Sequence, residues 1–77
     1  MSTDRYVKVK FEHVTARTVA ASLDTRFDVV GGCDEESIVI LYTSAPVLDI
    51  MDAVWALNNG AFVEVEVVSE SAVDRFL

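Results

Sequence analysis

Residues 37–43, Ser-Ile-Val-Ile-Leu-Tyr-Thr, constrain the fold more than any other stretch of the 77-residue chain. Ile38 to Tyr42 are five consecutive apolar positions rich in β-branched types, bounded by Asp34-Glu35-Glu36 and by Ser44-Ala45-Pro46. A run this short, unbroken and β-branched predicts a strand buried on both faces, and so a central one. Alternate side chains of a strand point to opposite faces. Either Ile38, Ile40 and Tyr42 or Val39 and Leu41 must therefore point away from the helices.

The remaining elements follow from periodicity. Residues 5–11 alternate, with Tyr6, Lys8 and Lys10 on one face and Val7, Val9 and Phe11 on the other, as in a half-buried strand. Thr15 is placed to cap a helix whose Ala16, Val19, Ala20 and Leu23 form a stripe, with Val14 stapling onto Val19. Residues 26–30 read as a second strand, and residues 31–36, opening on Gly31-Gly32, as a hairpin loop. Pro46 lies in the first turn of a second helix with Val47, Ile50, Met51, Val54 and Leu57 on its apolar face, ending at Asn58-Asn59-Gly60. Residues 61–68 form the last strand. In the tail, Ser71 and Asp74 have the spacing of a capping box, so residues 70–77 are expected to be a short tail or a single helical turn.

The order β-α-β-β-α-β with right-handed crossovers predicts one α+β domain over residues 1–77. It is a ferredoxin-like four-stranded antiparallel sheet of order 4-1-3-2 with two helices on one face. Charge gives independent support, because antiparallel first and fourth strands set Lys8 opposite Glu66 and Lys10 opposite Glu64. The same register joins Val7 to Val67, Val9 to Val65 and Phe11 to Val63.

Composition narrows the function. A chain this small buries only about 60–65% of its unfolded surface, and its single Cys rules out an internal disulfide, so a homo-oligomer is expected. The lone thiol fits a reducing compartment. No stretch has the ~18 uninterrupted apolar residues of a membrane helix, nor does the N-terminus carry a signal peptide's apolar core, so a cytoplasmic protein is expected. The net charge of −7 argues against nucleic acid and anionic membranes. That charge is uneven: up to Arg17 four basic residues face two acidic ones, and beyond it Arg26 and Arg75 face the other 11 carboxylates. Such acidity suits a basic protein partner; a salt-adapted proteome is the lesser alternative.

No catalytic or metal motif emerges. His13, Cys33, Asp34, Glu35 and Glu36 lack ligand spacing and cannot be assembled into a Cys–His nucleophile, so neither metal nor cofactor is expected. Gly31-Gly32 precedes neither Lys nor a helix start, and the carboxylates beside it would repel phosphate. Tyr6, Lys8, Lys10 and Tyr42 share a face that some RNA-binding domains use, but the aromatic signature is missing and Glu64 and Glu66 neutralise the lysines.

Interaction surfaces remain. One is the open sheet face, with Tyr6, Ile38, Ile40 and Tyr42 joined by Val30 and Val68. The other is the second helix, where Leu48 and Trp55 fall together beside Met51. They are either the rim of a wide core stripe or a partner-binding edge flanked by Asp49 and Asp52. The expected function is a small acidic, non-enzymatic interaction or regulatory module, such as an inhibitor of a larger protein, working as a homodimer. Ligand-sensing domains of the ACT type and dimeric α/β-barrel proteins share this topology, and no motif selects either. The rival readings are therefore a small-molecule sensor with its site at a dimer interface and an enzyme completed between subunits.

Overall fold

A computed structural model describes residues 3–57 and 64–77. The elements are β1 (Arg5–Lys10), α1 (Ala16–Leu23), β2 (Asp28–Cys33), β3 (Ile38–Thr43), α2 (Val47–Leu57), β4 (Glu64–Val68) and a four-residue α3 (Glu70–Val73), followed by a 3-10 turn (Asp74–Phe76). They make a small α+β fold with a four-stranded antiparallel sheet. Its strand order β2-β3-β1-β4 is the expected 4-1-3-2 read from the other edge. Residues 38–43 thus form an inner strand, flanked by β1 and β2.

The β1–β4 register follows the charge pattern. Val7 pairs with Val67, Lys8 with Glu66, Val9 with Val65 and Lys10 with Glu64, and Lys8 closes an ion pair with Glu66 at 3.2 Å. The expected contact of Phe11 with Val63, and the stop at Asn58-Asn59-Gly60, lie outside the described residues. Thr15 caps α1 by accepting from the Thr18 backbone N–H at 3.2 Å. Asp34 adds a second cap from the β2–β3 turn, its Oδ1 accepting from the Arg17 N–H at 3.3 Å. An acidic side chain suits this position, because the first amides of a helix lack partners and carry partial positive charge.

The β2–β3 hairpin differs from expectation. Gly31 and Gly32 belong to β2, which runs to Cys33, and the turn is shortened to residues 34–37. Val30 is the extra residue of a bulge between Val29 and Gly31. Glycine in a strand marks either a turn or a place where other backbone comes close. Here it is the second: a Cβ on Gly31 would overlap the Phe76 carbonyl oxygen and lie 2.9 Å from its carbon.

The sheet is covered on both faces. On one side Val7, Val9, Phe11, Val39 and Leu41 pack with Ala16, Val19 and Leu23 of α1 and with Ile50 and Val54 of α2. On the other, Ile38 and Ile40 pack against Val73 and Phe76, with Tyr6, Cys33 and Val68 alongside. Residues 70–77 therefore lie as a strap across the second face. The helix starts at Glu70, so Ser71 lies inside it and caps nothing.

The strap is held by a narrow margin. Covering Val73, Phe76, Ile38 and Ile40 contributes roughly 1.5–3 kcal/mol per side chain. Ordering the eight residues costs about 1–2 kcal/mol each. The two nearly cancel, which leaves the polar fastenings to decide how firmly the strap sits.

Candidate functional site

The interface residues expected from sequence fall into three separate places. Tyr6, Ile38, Ile40 and Tyr42 do share the sheet's second face, but only part of it is open. Ile40 is fully buried and Ile38 5% exposed beneath the strap, while Tyr42 stays 38% exposed with its ring 4.8 Å from that of Tyr6. Val30 stands apart at the bulge in the edge strand β2. Leu48, Asp49, Asp52 and Trp55 are all exposed on α2.

The strap carries polar fastenings that sequence reasoning missed. Arg75 grips Glu36 with its two terminal guanidinium nitrogens, at 2.9 and 3.0 Å, and its guanidinium carbon lies 4.2 Å from the Phe76 ring centroid. The Tyr6 hydroxyl donates to Glu70 at 3.2 Å. Partial burial, followed by that hydrogen bond, pushes the Tyr6 phenol above its ordinary value.

The Arg75 hydrogen bond, outweighing desolvation, holds the Glu36 carboxyl below its ordinary value of 4.5. A carboxylate lowered on folding adds stability that is present above its unfolded pKa and lost as pH falls through the folded one. Acidification through and below about 4.5 should therefore loosen the strap before the sheet unfolds. Ring-proton shifts of Phe76, followed by NMR down to about pH 3, should move toward random-coil values. Glu36→Gln should remove that transition. Shifts in the parent that stay flat to the point of global unfolding would show that the pair does not fasten the strap.

The α2 surface is open. Leu48 is 71% exposed, Trp55 54% and Val67 of β4 51%, with Met51 half-buried. Helical geometry fixes which flank this is. Asp52, Ala53 and Ala56 line a cleft of about 360 Å³ against Ser22, Thr25 and Arg26, so that side of α2 faces α1. Leu48, Met51 and Trp55, spaced i, i+3 and i+7, lie on the opposite flank. In the sheet β4 is the edge strand that α2 packs against, and its helix-facing Val67 is also exposed. Leu48 and Trp55 are thus not the rim of the core.

The acidic turn does not assemble a site. Among the described residues no group of three or more His, Cys, Asp or Glu side chains is arranged to hold a metal ion. His13 lies 3.8 Å from Glu12 and is solvent-exposed. Among the described residues no helix is long and apolar enough to cross a membrane. Comparison with protein-family models, with curated proteins and with solved structures finds no match for this chain.

Proposed function

We propose that the protein is a non-enzymatic, cytoplasmic interaction module of ferredoxin-like fold, whose binding surface is the outer flank of α2. One observation carries the reading: Leu48 and Trp55 are more than half exposed on one flank of α2, with Asp52 exposed between that flank and the cleft against α1 and Asp49 exposed one turn before it. Singly exposed apolar residues are ordinary, but a clustered set containing Trp and ringed by charge is what binding surfaces display. The charge selects the partner. A second copy docked through this flank would set its own Asp49 and Asp52 against the same carboxylates. A protein with an apolar contact ringed by Lys or Arg matches both features, and its approach is electrostatically steered. Regulation of that protein by occupying its basic surface is the function this chemistry fits.

The test begins with a partner isolated from the native host. Trp55→Ala should leave thermal stability nearly unchanged, because Trp55 is largely outside the core. It should weaken the affinity about thirtyfold, the effect of losing a central aromatic anchor. Asp49→Asn with Asp52→Asn should slow association, and added salt should mimic that change. An affinity indifferent to Trp55→Ala would remove this surface from consideration.

A further inference from the structure

The strap's seat is built so that a second copy can fill it, and we infer that two copies of this chain exchange their C-terminal straps. Everything that fastens the strap joins it to the sheet layer. Val73 and Phe76 rest on Ile38 and Ile40, Arg75 grips Glu36 of the β2–β3 turn, and Glu70 accepts from Tyr6 of β1. The Phe76 carbonyl passes over Gly31 of β2. None of these contacts depends on the strap belonging to the same chain. An identical strap from a second copy makes each one, so the exchanged and unexchanged states have the same fastenings.

The connection allows the exchange. A single residue, Ser69, joins β4 to α3, and its backbone is already extended at φ −79° and ψ 159°. The strand it leaves is an outer one, so a strap released there swings clear of the rest of the sheet. Release exposes two complementary apolar surfaces, Ile38 with Ile40 on the sheet and Val73 with Phe76 on the strap. A second open copy covers both.

The occupant is a second copy rather than an unrelated segment because the charge is matched pair by pair. The seat offers Glu36 to an arginine that stands between two apolar anchors, Val73 and Phe76, and the strap supplies its residues in that order. The surface is separate from the α2 flank, so each can fail without the other. Because the intramolecular strap is present at an effective concentration in the millimolar range, exchange should be promoted by concentrating the protein.

Two full-length charge variants test this. Glu36→Arg sets two arginines together, and Arg75→Glu sets two carboxylates together. Both side chains are substantially exposed, at 40% and 66%, so both variants should fold. Mixed and concentrated, they can restore an opposite-charge pair at both seats only by exchanging straps. Sedimentation should then show a species of about twice the 8.5 kDa chain mass, favoured some tenfold or more over the homodimer of either variant. High salt should erase the preference. A mixture that stays at the single-chain mass overturns the proposal. Should the charge variants fail to fold, Phe76→Cys brings a thiol beside the native Cys33, which packs against the same cluster. Oxidation after concentration should yield disulfide-linked dimers, and intrachain bonds alone would overturn the exchange equally.

Discussion

Replacing Ile40 by Asp is expected to unfold the chain. Ile40 is fully buried in β3, paired with Lys8 of β1 on one side and Gly31 of β2 on the other, with the strap above it. An uncompensated charge at such a position costs about 3–5 kcal/mol. Loss of the isoleucine packing adds about 2–5 kcal/mol. A chain of this length has a total stability of roughly 4–12 kcal/mol. The substitution therefore consumes most or all of it, and the result should be a lost far-UV signal rather than a folded protein with a freed surface. Val30→Asp is the matched control. It places the same charge at a bulge residue 40% exposed on the neighbouring strand and should shift stability by no more than about 0.5 kcal/mol. Urea titration of the two variants tests this. A folded Ile40→Asp protein with a near-normal midpoint would mean that the strap does not cover this face.

How much of this was legible in the sequence depended on whether a residue's signal had one physical cause or two. Alternating Lys and Glu in the first and last strands admit one antiparallel register, and Lys8 stands opposite Glu66 as that pattern requires. The apolar run around Ile40 demanded cover on both faces, but nothing in it said what the cover was. Sequence reasoning assigned it to a second molecule, whereas the chain's own last eight residues provide it. A four-residue helix followed by a 3-10 turn is too short to show periodicity, so the segment reads from sequence as either a short tail or a single helical turn. Gly31-Gly32 misled for a related reason. Glycine permits a turn and also permits close backbone approach, and the second cause is visible only once the Phe76 carbonyl is seen above it. Trp55 sat at an angle where a wide core stripe and an exposed flank predict the same residue. The position of Ala53 and Ala56 across a cleft from α1 fixed the choice, because it places the opposite flank outward.

Gly31 supplies the most selective test of the strap, because alanine there collides with it and with nothing else at comparable range. The new methyl would overlap the Phe76 carbonyl oxygen, lie 2.9 Å from the carbonyl carbon and 3.3 Å from a Leu77 methyl. A backbone carbonyl cannot turn aside as the end of a side chain can, so either β2 or the strap must move. β2 is tied to β3 along its length, while the strap is held by a near-balance of burial and entropy plus exposed polar contacts. The strap should therefore leave. Gly31→Ala should keep its sheet and helix-side core and lose about 1–3 kcal/mol of stability. It should bind a hydrophobic dye at the uncovered Ile38 and Ile40, and trypsin should cut after Arg75 many times faster than in the parent. Gly32→Ala separates this from a general weakening of the hairpin. Its methyl would meet the Ile38 carbonyl oxygen at 2.7 Å, inside the β2–β3 ladder and away from the strap. That variant should lose hairpin stability while Arg75 stays protected in the folded protein. Equal protection of Arg75 in Gly31→Ala and the parent would mean that the strap does not rest on β2 in solution.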